Sequence, residues 1–268
     1  MSRKFSLAYL TLPGVSALEQ IEIAARAGYD YVSLRTIPMG QEGEPVNCLE
    51  KDPELFQKIK NSLAFNNMKL LDIELVRIKE DMVTDYRGAF EKGAELGATQ
   101  VLSSVWTEDR SFAIDAYDQI CEQARAYGLT INFEFPAISG VKTLKDALDL
   151  QKKVGAPNLK ILMDMLYCYW DGETAEDIKA VDPNLFGVIH LCDCPKNYQS
   201  LEKTEIMRGK REYCGQGEVS LGEILRALPA NDCSIELPNL EYIKEFGRLG
   251  HATKCLQAAK SVFQAANL

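Results

Sequence analysis

Leu159-Lys-Ile-Leu-Met-Asp164 and, after one intervening helix, Phe186-Gly-Val-Ile-His190-Leu191 are the segments whose reading decides the fold. Each is a short apolar run ending at or beside a residue that can bind a divalent metal. Thr130-Ile-Asn-Phe-Glu134 upstream and Cys233-Ser-Ile-Glu236 downstream repeat the arrangement. Four strand-like segments therefore close on Glu, Asp, His and Glu.

Outward from these segments the alternation continues to both ends. Lys4–Leu10, Tyr29–Arg35, Lys69–Arg77 and Thr99–Trp106 read as the earlier strands, and Asp232–Leu237 as the last. Amphipathic runs at Ala17–Ala27, 52–66, Thr84–Leu96, Asp109–Tyr127, Thr143–Val154, Thr174–Val181, Ser220–Leu228 and Ala252–Ala266 predict helices. Ser16 and Pro53 are start signals, and Gly28, Gly97, Gly128 and Gly155 are stops. Strands alternating with helices at intervals of roughly 25–35 residues imply parallel βαβ units. Eight such units in 268 residues point to a closed (β/α)8 TIM barrel, a single domain over 1–268. No Gly-x-Gly-x-x-Gly follows the first strand, which weighs against a dinucleotide-binding sheet. The irregular segments 37–51 and Pro195–Lys210 are expected to shape a pocket.

Composition narrows the function classes. The chain is 46% hydrophobic and 26% charged, with a formal net charge of −9. That balance opposes a basic nucleic-acid footprint. No segment approaches the roughly 18 consecutive apolar residues of a membrane span. The first residues lack the apolar stretch of a signal peptide, so a cytoplasmic location is expected. None of the eight cysteines forms a CxxC pair, and buried free thiols are the expectation.

Successive strand side chains point to opposite faces. If Glu134 faces the barrel interior then Asn132 does too, Leu162 accompanies Asp164, and Ser234 accompanies Glu236. Ser33 with Arg35, and Asp72 with Glu74, are likewise expected on the inner face. In such barrels the active site forms at the C-terminal strand ends. There Glu134, Asp164, His190 and Glu236 can converge, because neighbouring strands are roughly 5 Å apart. A lone Glu at a strand end is ordinarily a solvated or capping residue, and a lone His a hydrogen-bonded structural one. Four metal-competent residues at homologous points of four consecutive strands is a far less probable accident. Three carboxylates and one imidazole suit Mn²⁺ first, with Mg²⁺, Co²⁺ or Zn²⁺ as alternatives. A competing set, His190, Cys192 and Cys194, would select Zn²⁺, but its one-residue spacing is unlike that of zinc knuckles. His251 is expected to open the last helix as a capping or surface residue.

Glu134, Asp164, His190-Leu-x-Asp193 and Ile235-Glu236 together resemble the sugar phosphate isomerase/epimerase superfamily, the xylose isomerase-like TIM barrels. Arg211-Glu-Tyr-Cys-Gly215-Gln-Gly217 is similar to that superfamily's Arg-x-x-x-Gly-x-Gly. The resemblance spans essentially the whole chain. It implies a divalent metal held by Glu134, Asp164, His190 and Glu236. It further implies that Glu134 and Glu236 move a proton through a metal-stabilised enediolate, with Arg211 binding a substrate hydroxyl or anion. The substrate implied is a small keto sugar, sugar acid or sugar phosphate, and a homo-oligomer is a family expectation only.

One position departs from the pattern. Family members commonly carry His three residues after the Asp, where this chain has Tyr167. A tyrosine there can bond a hydroxyl or act as an acid. A metal-dependent dehydratase or lyase acting on a keto-polyol therefore stands beside the isomerase. An endonuclease of the same barrel superfamily would need many more histidines than the two present. A barrel that kept its fold and lost catalysis is the non-enzymatic alternative. Arg35 and Arg110 complete the expected substrate-binding set with Arg211 and Tyr167.

Overall fold

A computed structural model describes residues 3–41 and 43–268; Met1, Ser2 and Glu42 lie outside the described residues. The strands are β1 (Phe5–Leu7), β2 (Tyr31–Arg35), β3 (Lys69–Ile78), β4 (Gln100–Val105), β5 (Thr130–Glu134), β6 (Leu159–Asp164), β7 (Phe186–Leu191) and β8 (Cys233–Ile235). They pair in parallel in that order, and β1 pairs with β8 to close the barrel. The helices are α1 (Ala17–Ala27), α2 (Pro53–Phe65), α3 (Arg87–Glu95), α4 (Arg110–Arg125), α5 (Leu144–Val154), α6 (Met165–Asp171), α7 (Ala175–Lys179), α8 (Lys203–Gly209), α9 (Leu221–Ala227) and α10 (Leu240–Ala266). No helix among the described residues is long and apolar enough to cross a membrane.

The expected helix boundaries rest on the expected residues. The Ser16 hydroxyl accepts the amide of Glu19, and Gly28 ends α1 with a left-handed backbone. Asp52 caps α2 with Pro53 in its first turn, and Thr143 and Gly155 bracket α5. Three differences stand out. Two short helices were not expected: α6 occupies a stretch given no element, and α8 lies in the segment read as irregular. Asp164 itself caps α6 by accepting the amide of Leu166, so one carboxylate both ends β6 and starts the next turn. The final helical stretch, α10, opens at Leu240 rather than Ala252, but its backbone leaves the helical conformation at Gly247, so a short first segment precedes the one that carries the expected run.

Two apolar layers result. The outer faces of the strands pack under the helices through residues such as Ile131, Phe133, Ile161 and Met163. A second, smaller apolar cluster consists of Leu71, Leu102, Leu162 and Val188. Polar groups line the interior, as alternation predicts: Ser33 donates to Asp72, and Arg35 donates to Glu74. Asn132 holds strands together from within, donating to Gln100 and accepting the amide of Val188 across the barrel.

His251 is a correction. It is wholly buried, with Nε2 against the Leu237 carbonyl and Nδ1 at 3.0 Å from the Tyr213 hydroxyl. It lies in the first turn after the Gly247 break, and it is the burial that departs from the expected surface position, because there it links α10 to the segment after β8. All eight cysteines are free thiols, seven of them buried, as expected.

Gly187 approaches Asn132 so closely that an added Cβ would lie 1.7 Å from the Asn132 amide oxygen. Gly187→Ala is therefore expected to displace that amide and destabilise the barrel by about 1–3 kcal/mol, read as a lowered midpoint in chemical denaturation. An unchanged midpoint would show that the Asn132 bridge is dispensable.

Candidate metal centre

The four strand ends converge in the barrel mouth. β5 ends on Glu134 and β6 on Asp164, His190 is the penultimate residue of β7, and Glu236 directly follows β8. Register brings them level: Asp164 lies opposite His190, and His190 opposite Ser234, two residues before Glu236. One donor atom from each of the four lies within 4.8 Å of the others. Nδ1 of His190 stands 3.3 Å from Glu134 Oε1, 3.7 Å from Glu236 Oε2 and 3.9 Å from Asp164 Oδ2. All four side chains are buried.

Carboxylates gathered out of water need a counter-charge. Arg211, fully buried, supplies part of it. Its Nη1 donates to Asp164 Oδ2 at 2.6 Å and to the Glu236 carbonyl at 3.1 Å. Its Nη2 sits 3.1 Å from Glu236 Oε2 and donates to the Tyr167 hydroxyl at 3.2 Å. Burial alone would raise Glu236, but His190 and Arg211 outweigh it and hold its carboxyl down at about 2. Glu134 has no such guanidinium. Burial and the like charges of Glu236 and Asp164 prevail over His190 there and push it up to about 7. Burial would lower His190, but Glu236 and Glu134 prevail and raise it well above its ordinary value.

The residues fit a divalent cation. Glu134 Oε1 and His190 Nδ1 face each other, buried, without the geometry of a hydrogen bond to any partner. Such orphaned polar atoms in a buried cluster are the mark of a site built for an additional ligand. The donor set of three carboxylate oxygens and one imidazole nitrogen admits ions from Mg²⁺ to Zn²⁺. Cys192 and Cys194 stay out of the ligand set. The Cys192 thiol instead receives a contact from Arg211 at 3.3 Å, and burial raises both thiols.

A cavity of about 210 Å³ opens above these ligands, lined by Glu134 and Glu236 together with Arg35, Trp106, Tyr167 and Met207 among others. Asp164 and His190 lie beneath its wall. A larger cleft of about 590 Å³ between α6, α7 and α9 lies on the outside of the barrel. It has no comparable convergence of ligands, so chemistry rather than size singles out the barrel mouth.

The expected substrate-binding residues divide. Tyr167 reaches the cavity from α6, its hydroxyl fixed by Arg211. Arg35 also lines it, but its guanidinium is taken up by Glu74 at 2.8 Å and Glu44 at 3.0 Å. Arg211 is sealed beneath the cavity wall and orients the ligands rather than presenting itself to a substrate. Arg110 is a correction. It opens α4 on the barrel's outer surface and pairs with Asp146 of α5 at 3.1 Å, where both side chains are substantially exposed. Its strand-to-helix turn carries it past the rim, so it takes no part in the cavity.

Comparison with known proteins agrees with this geometry. The sequence profile of the xylose isomerase-like TIM barrel matches residues 21–258. The chain belongs to that family. An inosose isomerase from Halalkalibacterium halodurans is 23% identical over 252 residues, which cover 87% of this chain and 86% of that protein. Among solved structures, the IolI protein with a bound zinc atom superposes with a TM-score of 0.82 at 20% identity, covering 98% of this chain and 99% of that one. A D-allulose 3-epimerase from Methylomonas sp., in complex with D-allulose, gives 0.70 at 18% identity, over 97% and 98% of the two chains.

Part of the cavity escaped the sequence reading. Met207 and Arg208 lie in the Pro195–Lys210 segment expected to shape the pocket, Arg208 among the residues expected to do so; what escaped was the helix α8 that carries them, whose apolar residues are too few to announce it. Arg77 was given no site role, and simple alternation from Asp72 and Glu74, which runs through even numbers, would turn it outward. A register shift between Ile73 and Val76 resets that parity and turns Leu75 and Arg77 toward the cavity while Val76 and Ile78 enter the outer core.

Cation binding must displace the protons that Glu134 and His190 retain near neutrality. Affinity for Mn²⁺ or Zn²⁺ is therefore expected to weaken as pH falls below about 7, by roughly ten- to a hundredfold per unit. Titration calorimetry in buffers of different ionisation enthalpy should show one to two protons released per ion, about one or two being the count of raised groups. Affinity independent of pH between about 5 and 7.5 would refute this assignment of the ligands.

Proposed function

We propose that this chain is a divalent-metal-dependent isomerase or epimerase acting on a small keto polyol or sugar derivative. The observation that carries the reading is that Glu134 and Glu236 face one cavity from β5 and β8, three strands apart, within a cluster of donors that could hold a cation. The inosose isomerase relatives support the same class.

Glu134, Asp164, His190 and Glu236 would hold the ion. When bound, it supplies a Lewis acid for the substrate's carbonyl and adjacent hydroxyl oxygens. The chain's own groups do the rest. Unequal surroundings separate the two glutamates, with Arg211 beside Glu236 and only His190 offsetting the burial of Glu134. Such separation assigns different protonic roles to a carboxylate pair. One removes the proton from the carbon beside the carbonyl, and the other, from a different direction, returns a proton to that carbon or its neighbour. Tyr167, pinned by Arg211, offers a fixed phenol to a substrate hydroxyl. Leu75, Leu102 and Met207 restrict water around the reacting carbon.

The same phenol favours a second reading. A hydrogen-bond donor held over the cavity could protonate a departing hydroxyl, making the reaction a dehydration. The two readings separate by product: an isomer in one case, a compound lighter by one water in the other.

Deuterium uptake at the carbon beside the carbonyl, followed by NMR in heavy water with a panel of ketoses and keto-polyols, tests the proton chemistry. Chelation should abolish uptake and divalent cation restore it. Glu134→Gln and Glu236→Gln, checked for metal content, should each lower the rate by about 10²–10⁴-fold. Full activity in the metal-free protein or in either variant would end the proposal.

A further inference from the structure

The arginines of the cavity are not equivalent. Arg35 is neutralised by Glu74 and Glu44, and Arg211 by Asp164 and Glu236. Arg77 and Arg208 also line the cavity, and neither joins an ion pair among the described residues. Arg77 is held in place rather than free. Its guanidinium carbon lies 4.6 Å from the centre of the Trp106 ring, and the Trp106 indole donates to Ser104 at 2.7 Å. Its Nε is buried with no hydrogen-bond partner.

Leaving a buried guanidinium N–H unmatched is costly unless something else completes it. Burial, and then the nearby charges of Arg208 and Arg35, lower the Arg77 guanidinium from its ordinary value. The protein as a whole is acidic, with a net charge of −9, so this pair is a local inversion of sign at the mouth of the cavity. An arginine stacked on an aromatic ring keeps its edge free for bidentate recognition of a carboxylate or phosphate.

We infer that Arg77 and Arg208 form an anion subsite, and that the substrate carries a carboxylate or phosphate at the end remote from its reacting carbonyl. The inference rests on the isomerase reading for the identity of the reacting end, while the anion site itself does not. The bidentate edge of Arg77 receives the anion from the β3 side, and Arg208 closes over it from α8. A cavity of about 210 Å³ leaves room for a short chain between that anion and the glutamates. The substrate class is thereby narrowed from neutral polyols to sugar acids or sugar phosphates of small size.

Two measurements test this separately. In the first, equilibrium dialysis of labelled sulfate against the Mg²⁺-loaded protein reads the anion site without turnover. Wild type should bind sulfate, and Arg77→Met and Arg208→Met should each weaken it at least about tenfold. Arg208 is exposed, so its variant reports even if Arg77→Met proves unstable. No binding, or binding equal in wild type and Arg208→Met, overturns the subsite. In the second, deuterium uptake is compared for D-fructose, D-fructuronate and D-fructose 6-phosphate, which differ only at the terminal carbon. The preferred charged member identifies the anion. Its advantage over D-fructose should exceed tenfold, an order set by charge-assisted pairing, and should collapse in both variants. Preference for the neutral ketose overturns the substrate assignment. Uptake by none of the three, with sulfate binding intact and arginine-dependent, upholds the subsite and counts against the isomerase reading alone.

Discussion

The contact between Arg211 and Asp164, 2.6 Å long and wholly out of water, is the constraint on which the barrel mouth depends. Three carboxylates and an imidazole could not otherwise share so small a volume. Breaking a buried ion pair typically costs about 3–5 kcal/mol, because the partner is left charged and unmatched. The same guanidinium fixes the Tyr167 hydroxyl and contacts Glu236, so one side chain sets the positions of three others. It also explains why the two glutamates, alike in type and burial, differ in character.

Asp193 performs a parallel task for the chain rather than the site. Its buried carboxylate accepts the amides of Cys194, Gly215 and Val219 and so folds the long segment after β7 back upon itself. An added Cβ on Gly217 would lie 2.1 Å from the Cys194 carbonyl, so this glycine is required for close approach. The fold thereby delivers Arg211 under the ligands and α8 over them. The His-Leu-x-Asp and Gly-x-Gly features of the sequence are two halves of this one device.

The positive charges of the mouth fall into two kinds. Arg35 and Arg211 are spent on internal carboxylates and act as scaffold. Arg77 and Arg208 lack such partners among the described residues and face the cavity. Counting arginines cannot separate these kinds, since the distinction lies in which guanidinium has a carboxylate within reach. Arg110 illustrates the opposite error: adjacent in sequence to a strand end, it lies outside the rim and pairs with Asp146.

The period-two and helical patterns, the capping residues and the placement of Glu134, Asp164, His190 and Glu236 at four strand ends are local properties. They determined the barrel and its metal-competent mouth before any coordinates, because parallel strands of one closed sheet must bring their C-terminal ends together. The burial of His251, the short helical segment before Gly247 and the cavity-facing turn of Arg77 were decided only in three dimensions. A break at Gly247 and a register shift in β3 reset the phase of the side chains that follow, and nothing in the residue alternation marks where such a shift occurs. Whether an arginine serves as scaffold or as a binding group was likewise a tertiary outcome, fixed by partners more than thirty residues away in the chain: Glu74 for Arg35 and Asp164 for Arg211, at separations of 39 and 47.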